Sequence, residues 1–244
     1  MFTPIGFYAE TNVLPPLVDS ATVFYSANQN TDWTDLSPNG YNGTESTIGS
    51  GGTSAITHVA GGQPYWHFTC PSPMSEQSWL DTGYTINSSL GGTYTMFSIV
   101  KFDSVATNFQ GIWNADDTGT ANQQLTLNQN VTPIFFSVDR GLNSGNNKIL
   151  IASTAPNTSD WFFLMTVADG SGITFYINNT SEATSGTSTA AGLNQSLRIG
   201  RTFSIASNYE NKGKIGACGF FAGTALDATQ RTELYDYYNA IYSF

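Results

Sequence analysis

Residues 161–178 read WFFLMTVADGSGITFYIN, and this stretch decides the fold. The run from Trp161 to Val167 is almost entirely apolar, which is typical of a strand inside a sheet with both faces covered. A turn follows, with glycines where a positive φ is needed. From Ile173 to Asn178 the side chains alternate between apolar and polar, the period of a half-buried strand. The stretch therefore predicts a β-hairpin.

Short strand-like runs recur on both sides of this hairpin, separated by clusters of Gly, Asn, Ser and Pro. They cover residues 23–25, 65–68, 94–102, 112–113, 125–127, 134–138, 149–151, 197–199 and 215–221. About a dozen short strands without a long helical period between them predict an all-β sandwich and not a βαβ fold. Two polar stretches, Gly40 to Thr57 and Ser181 to Gly192, are predicted to be long loops.

One helix is predicted, at the C-terminus. Asp227 and Gln230 have the spacing of a capping box, in which each side chain accepts from the other's backbone N–H. A stripe of apolar residues then follows at helical spacing: Leu234, Tyr235, Tyr238, Ile241 and Tyr242. We expect this stripe to pack on the sandwich. A partner-binding face is the alternative.

The first twenty residues differ in composition from the rest. Prolines at positions 4, 15 and 16 disfavour both a helix and a central strand, so residues 1–20 are predicted to form an extended N-terminal arm. Residues 21–244 would then form a single β-sandwich domain. The apolar residues of the arm are expected to dock on the flank of the domain or on a neighbouring subunit: Phe2, Ile5, Phe7, Val13 and Leu14.

Charge excludes several classes of partner. Among 244 residues there are 8 basic and 18 acidic ones, for a formal charge of −10. Eight dispersed cations do not supply the phosphate contacts of a nucleic-acid-binding protein, and an acidic surface is repelled by anionic membranes. The apolar runs are shorter than the about 18 residues of a membrane span, and the N-terminus lacks the pattern of a secretory signal. We therefore expect no nucleic acid and no membrane as partner.

Cysteine and histidine are scarce. Cys70 and Cys218 lie far apart in sequence and have no CxxC spacing. They are expected to be two buried free thiols, and a disulfide between them is the alternative. His58 and His67 are the chain's two histidines, too few for a typical zinc site. His67 is expected to be a hydrogen-bonded strand residue.

Five segments in order resemble a known family. They are WTDLSPNGYNGT at 33–44, TYTMFSIVKF at 93–102, the hairpin at 161–178, LRIGR at 197–201 followed by GKIG at 213–216, and Leu226-Asp227 at the helix start. This order resembles the LamG-type jelly-roll domains of the concanavalin A-like lectin/glucanase superfamily. The resemblance covers residues 20–244 and implies a concanavalin-A-like antiparallel β-sandwich with one short C-terminal helix. Gly216-Ala217 stands where the family usually has an acidic residue, which weakens any transfer of metal or ligand residues.

No pattern for catalysis is found. A glycosidase of this superfamily needs two carboxylates at a fixed separation, and none of the six glutamates has an aspartate two positions away. A G-x-S-x-G elbow, a P-loop and a dinucleotide fingerprint are missing as well. We therefore expect a protein that is not an enzyme and has no cofactor. Calcium is chemically compatible with the aspartates but no motif supports it.

Two clusters are candidates for ligand binding. The candidate residues are Trp113, Asn114, Asp116 and Asp117 in the first cluster, and Arg201 and Tyr209 in the second. Trp113 could stack on a sugar ring while its polar neighbours fix hydroxyls or Ca²⁺. The alternative for Trp113 is a core tryptophan before a turn, and the alternative for Arg201 is an ion pair with an acidic neighbour.

Two functions follow from these patterns. The first is a non-enzymatic virion structural protein, a capsid decoration or tail-associated phage subunit that displays the sandwich on the particle. Its partners would be other virion proteins bound through the arm, in a homo-oligomer or larger assembly, and host-surface glycans. This hypothesis rests on an amino-acid composition that resembles that of phage virion proteins with this fold. The alternative is a carbohydrate-binding or adhesion module of a secreted or cell-surface protein.

Overall fold

A computed structural model of the chain describes residues 14–48, 55–69, 77–86, 92–105, 110–116, 124–131, 134–141, 148–186, 195–201 and 212–244. A short 3-10 helix at Val18–Ser20 precedes the first strand. The strands are β1 Val23–Ser26, β2 Thr44–Ile48, β3 Ala55–Val59, β4 Tyr65–Thr69, β5 Gln77–Ile86, β6 Thr93–Phe102, β7 Gln110–Asp116, β8 Gln124–Val131, β9 Ile134–Gly141, β10 Lys148–Ile151, β11 Phe162–Asp169, β12 Gly172–Ile177, β13 Thr180–Gly186, β14 Gln195–Ile199 and β15 Gly213–Ala222. Helix α1 spans Ala228–Tyr242.

The strands form two antiparallel sheets. The first sheet has the order β13-β12-β11-β6-β15-β4-β3, and β1 also pairs with β15. The second sheet has the order β10-β9-β8-β7-β14-β5-β2. One hydrophobic cluster joins side chains from both sheets, so the sheets pack face to face as a β-sandwich. The predicted fold class is confirmed.

The hairpin at 161–178 forms as predicted. Strands β11 and β12 pair antiparallel, and β11 also pairs along its length with β6. In β12, Ile173, Phe175 and Ile177 are buried and the residues between them are partly exposed. In β11, Leu164 belongs to the cluster between the sheets, whereas Phe163 belongs to a second cluster on the other face. Both faces of this strand are therefore covered, which explains its nearly unbroken apolar run.

Helix α1 covers the outer face of the first sheet. The capping box is confirmed, because the Asp227 carboxylate accepts from Gln230 N at 2.9 Å and Gln230 Oε1 accepts from Asp227 N at 3.0 Å. The buried residues of the helix join the second cluster: Leu234, Tyr238 and Tyr242. The apolar stripe thus packs on the sandwich itself. In the described part of the chain, no helix combines the length and apolarity that crossing a membrane requires.

Two segments predicted as loops contain strands instead. Strands β2 and β3 lie within Gly40 to Thr57 or reach just beyond it, and β13 occupies the start of Ser181 to Gly192. Each of these three strands lies at an edge of its sheet in the strand orders above and pairs there with one neighbouring strand. Their side chains are mostly polar and exposed or partly exposed. Edge strands with so few buried side chains show no apolar period, which is why their sequence looks like a loop.

The described part of the N-terminal segment begins at Leu14. Leu14 is 50% exposed, whereas Val18 is buried in the cluster beneath α1. Leu17 and Val18 therefore pack against the domain. The other apolar residues of the predicted arm, Phe2, Ile5, Phe7 and Val13, lie outside the described residues, so docking of the arm on a neighbour stays a prediction.

Cys218 on β15 is a free thiol in the core. It is fully buried, and burial raises the pKa of this thiol well above its usual value. The prediction of a buried free thiol is confirmed for Cys218. Cys70 lies outside the described residues.

Gly216 has a packing role against the C-terminal helix. A Cβ atom at this position would lie 2.4 Å from the ring of Tyr242 on α1. The Tyr242 hydroxyl in turn donates to the carbonyl oxygen of Pro64. The glycine therefore lets the last turn of the helix seat directly on β15, and no acidic side chain fits there.

Gly216→Ala is expected to lower the free energy of unfolding by about 1–3 kcal/mol, because the added methyl group overpacks this contact. Chemical denaturation measures the change. Gly186→Ala is the matched control, since a Cβ there meets nothing within 4 Å. Combining Gly216→Ala with Tyr242→Ala should make the alanine at 216 nearly harmless. Equal losses for the two glycine variants would contradict the packing explanation.

Candidate functional site

The outward face of the second sheet carries polar side chains from three neighbouring strands. Arg198 on β14 is paired directly with Asp81 on β5 and with Asn114 on β7. Directly paired residues point to the same face of a sheet, so these three side chains lie side by side. One residue further on, Ile199 is paired with Leu80 and Trp113, and all three are fully buried in the cluster between the sheets. The row at 81, 198 and 114 therefore faces away from the core.

Arg198 and Asp81 form a loose ion pair. The distance from Arg198 Nε to Asp81 Oδ2 is 3.6 Å, beyond the 2.7–2.9 Å that is typical of a charge-assisted hydrogen bond. Among the described residues, Arg198 Nε has no hydrogen-bond partner although the atom is buried. The Arg198 side chain as a whole is 19% exposed and that of Asp81 31%. The pair is thus accessible from outside and its hydrogen bonding is incomplete.

Asn114 is the least accessible member of the row. It is 1% exposed, and its Nδ2 finds no hydrogen-bond partner in the described part of the chain. A buried amide donor without a partner costs about 1–3 kcal/mol, and native proteins contain only a few such groups. The Asn114 amide is thus an energetically unfavourable, unsatisfied donor. It lies next to Arg198 on the face of the sheet that points away from the core.

Trp79 and Arg201 extend the row at one end. Trp79 lies two residues before Asp81 on β5 and therefore on the same face. The guanidinium carbon of Arg201 lies 4.4 Å from the Trp79 ring centroid, within cation–π range. Gly200 turns the chain after β14 so that the Arg201 side chain can reach Trp79. Its φ of +81° favours glycine, and a Cβ at this position would clash with the Phe68 ring. We name Trp79, Asp81, Asn114, Arg198 and Arg201 the outer-face cluster.

The structure separates the residues of the first predicted ligand site. Trp113 is fully buried, and its Nε1 donates to the carbonyl oxygen of Phe97 on the opposite sheet at 3.0 Å. Its indole therefore offers no face to a sugar, and the alternative of a core tryptophan describes it correctly. The prediction placed Trp113 and Asn114 together at the exit of a strand, but β7 continues to Asp116. Consecutive residues of a strand point to opposite faces, which puts Trp113 in the core and Asn114 outside.

The second predicted site is tested only in part. Arg201 is 9% exposed and stacks on Trp79 as described above. The side chain of Asp116, and Asp117 and Tyr209 entirely, lie outside the described residues, so their roles stay predictions. Asn114 and Arg201, each predicted in a different site, are brought into one cluster by the sheet.

Trp79, Asp81 and Arg198 were not predicted as site residues. The signal for Arg198 is its place between the apolar residues Leu197 and Ile199, because a polar residue there points away from the core. Its neighbours are set by the pairing of β14 with β5 and β7, strands distant in sequence. No local pattern reveals that register.

An ion-pair network around Asp103 lies on the first sheet, away from this cluster. His67 Nε2 lies 2.5 Å from Asp103 Oδ2, and Lys214 Nζ lies 3.5 Å from the other oxygen of Asp103. This confirms His67 as a hydrogen-bonded strand residue, on the first sheet. His58 Nε2 contacts the carbonyl oxygen of Ala27 at 3.0 Å. In the ranges that the structure describes, no group of three His, Cys, Asp or Glu side chains is placed to hold a metal ion.

Comparisons with known proteins show the fold. No protein-family model and no curated protein matches the sequence. Among solved structures, domain 4 of AbnA, an extracellular GH43 arabinanase of Geobacillus stearothermophilus in complex with arabinotriose, matches with a TM-score of 0.64 at 19% identity. The match covers 88% of this chain and 98% of that domain.

Two botulinum neurotoxin structures also match. One is botulinum neurotoxin type C, whose uptake into cells depends on two ganglioside molecules, and the other is the neurotoxin DC binding domain in complex with rat synaptotagmin II. Each has a TM-score of 0.64 at 13% identity and covers 91% of this chain. The chain spans about half (52%) of each toxin chain. At such identities the likeness establishes a shared β-sandwich fold.

Proposed function

We propose that the protein is a non-enzymatic carbohydrate-binding module and that the outer-face cluster is its binding site. The observation that carries this proposal is the buried, unpartnered amide of Asn114 in register with Arg198. A sugar hydroxyl would satisfy such an amide, and an arginine with a neighbouring carboxylate offers both donors and acceptors to further hydroxyls. Trp79 is partly exposed and adds apolar surface for a sugar ring.

The similar structures support the same class of function. The arabinanase domain that matches this chain almost end to end was solved with an oligosaccharide, arabinotriose. The type C toxin interacts with ganglioside molecules. This chain matches only about half (52%) of the toxin chain. A fold hosts many functions, so the likeness supports the proposal only together with the cluster.

The virion role predicted from composition has no support from these comparisons. The similar structures come from an extracellular arabinanase and from a botulinum neurotoxin. A secreted or cell-surface location accordingly suits the proposed module better than a particle. Assembly through the N-terminal arm, and a homo-oligomeric state, remain predictions.

Asn114→Ala tests the proposal because it separates binding from stability. On a glycan array, the natural protein should bind at least one glycan, and Asn114→Ala should weaken that binding about tenfold or more. The variant should keep or slightly raise the melting temperature, since the substitution removes an unsatisfied buried donor. Bound glycans should be recovered uncleaved after long incubation, as expected of a protein without a catalytic pair.

Thr166→Val is the matched control. Thr166 Oγ1 is also buried and has no hydrogen-bond partner among the described residues, but it lies in β11 of the first sheet. This variant should show the same change in stability with unchanged glycan binding. Binding that is identical in the natural protein and Asn114→Ala would contradict the assignment of the site, and a blank array would contradict the function.

A further inference from the structure

A second pocket lies on the first sheet, apart from the outer-face cluster of the second sheet. It has a volume of about 250 Å³ and is lined by residues 27–31, which follow β1, and by His58, Ala60, Gly61 and Pro64 of the β3–β4 hairpin. Strand β3 is the last strand of its sheet. The pocket therefore lies at the edge of the sandwich. We name it the loop pocket.

Hydrogen bonds join both ends of residues 27–31 to the first sheet. The backbone N–H of Ala27 donates to the carbonyl oxygen of Gly216 on β15 at 2.8 Å. The indole Nε1 of Trp66 on β4 donates to the carbonyl oxygen of Thr31 at 3.4 Å. Because the segment is anchored at both ends against the core, the pocket is formed before a ligand arrives.

Helix α1 orients two amide side chains of the loop pocket. Asn28 Nδ2 donates to the Tyr237 hydroxyl at 3.1 Å, and Gln29 Nε2 donates to the same oxygen at 3.3 Å. Asn28 Oδ1 accepts from Ser26 Oγ. An amide nitrogen carries two N–H groups, so Asn28 keeps one donor beyond these contacts within the described part of the chain. Orienting the amide in advance reduces the side-chain entropy that binding would cost.

The loop pocket also contains two acceptors with spare capacity. A carbonyl oxygen only accepts, so His58 Nε2 carries the proton in its contact with Ala27 at 3.0 Å, and Nδ1 of the neutral ring is then an acceptor. Asn30 donates through Nδ2 to the carbonyl oxygen of Thr34 at 3.4 Å, a contact that does not involve its Oδ1. Within the ranges that the structure describes, neither His58 Nδ1 nor Asn30 Oδ1 accepts a hydrogen bond.

The lining of the loop pocket combines donors and acceptors without an ionic side chain. None of its described residues is Asp, Glu, Lys or Arg, and His58 carries the one aromatic ring among them. An ionic ligand would therefore meet no opposite charge, and a flat aromatic ligand would find little surface for stacking. Hydroxyl groups both donate and accept, which matches an amide N–H, an amide oxygen and a ring nitrogen. A sugar carries several such groups on adjacent carbon atoms.

We propose that the loop pocket binds one residue of a neutral sugar. Asn28, Asn30 and His58 line a single small pocket, so one ligand can reach all three. The volume of about 250 Å³ lies below the roughly 300–1,000 Å³ of pockets for drug-sized molecules, which suits one sugar ring and not an oligosaccharide. This site is additional to the outer-face cluster, and the inference does not rest on the function proposed for that cluster.

The chain's two histidines allow a direct test in the full chain. Isotope-labelled histidine gives NMR signals from His58 in the pocket and from His67, which follows the buried Trp66 on β4 and so points to the other face of the sheet. The His67→Gln variant assigns the signals. The ligands are the methyl glycosides of arabinose, galactose, glucose and mannose. At least one should shift the Nδ1 signal of His58 with a millimolar dissociation constant, as expected for about a dozen ligand atoms, and leave His67 unmoved.

Variants assign the shift to the pocket. Ala60→Leu fills the pocket without removing a hydrogen-bonding group, so it should abolish the His58 response, and the variant should fold because Ala60 is exposed. Asn30→Ala should raise the dissociation constant about three- to tenfold, the effect of losing one neutral hydrogen bond. Thr57→Ala is the matched control, because Thr57 is exposed and precedes His58 on β3, which places it on the opposite face. This variant should keep the dissociation constant of the natural protein.

The outcomes separate this inference from the proposed function. A His58 signal that none of the four glycosides moves at concentrations up to about 100 mM would overturn the inference. A response that survives Ala60→Leu, or equal shifts of His58 and His67, would overturn it as well. The glycan array and Asn114→Ala report on the outer-face cluster instead, because a site of millimolar affinity loses its ligand when an array is washed. Failure at His58 therefore leaves the proposed module standing, and a blank array leaves the loop pocket standing.

Discussion

Replacing Trp113 with alanine is expected to lower the free energy of unfolding by about 3–5 kcal/mol, the range for truncating a buried large aromatic side chain. The indole is fully buried between the two sheets, and its ring lies 6.5 Å from that of Phe220 across the interface. Alanine would leave a cavity and would also leave the carbonyl oxygen of Phe97 without its Nε1 donor. Urea denaturation measures the loss.

Trp79→Ala is the control for Trp113→Ala. Trp79 lies on a neighbouring part of the same sheet, but it is partly exposed on the outward face. We expect Trp79→Ala to cost much less stability and to weaken glycan binding, the reverse of the pattern for Trp113→Ala. If Trp113→Ala abolished glycan binding and left the denaturation midpoint unchanged, the stacking role first suggested by the sequence would be restored.

This contrast shows what the sequence could predict. The hairpin at 161–178 and the cap at Asp227 depend on residues that are close in sequence, and both form as predicted. The stripe on α1 packs as expected because a helix with one apolar face has to bury it. Local propensity and local apolar period therefore suffice for these elements.

The candidate site depends on pairing between distant strands. Asp81 and Arg198 become neighbours only because β5 pairs with β14, and a shift of one residue would turn Arg198 toward the core. A register shift already occurs next to Arg198, between Ser196 and Arg198. Composition and periodicity contain no information about such irregularities. The sequence could therefore predict the polar residue at 198 but not its partners.

The motif at 33–44 illustrates a different limit, because its conspicuous polar residues build the fold. Both oxygens of the Asp35 carboxylate are occupied. Oδ1 accepts from the backbone N–H groups of Phe24 and Ser37, both at 2.9 Å. Oδ2 accepts from Ser37 Oγ and from Tyr41 N, both at 2.8 Å. Asp35 is buried, so this carboxylate joins the loop to β1 and leaves no oxygen for a ligand.

Asp35→Ala is therefore expected to be as destabilising as the loss of a core tryptophan, by about 3–5 kcal/mol. The substitution removes the acceptor of three backbone N–H groups and one hydroxyl. The backbone N–H groups of Phe24 and Ser37 are buried and cannot form hydrogen bonds with water instead. Each therefore retains a desolvation cost of about 1–3 kcal/mol. Denaturation with urea, followed by tryptophan fluorescence, measures the change, since Trp33 lies in the same loop and stacks on Trp66 at 3.8 Å.

Asp32→Ala separates the effect of burial from that of charge. Asp32 belongs to the same loop and its Oδ1 also accepts from a backbone N–H, that of Thr34, but it is exposed. Water can replace an exposed acceptor, so this variant should stay within about 0.5 kcal/mol of the natural protein. Both variants remove one negative charge from a chain of net charge −10. Similar stabilities for the two would mean that relief of charge repulsion, and not the geometry of the loop, controls this region.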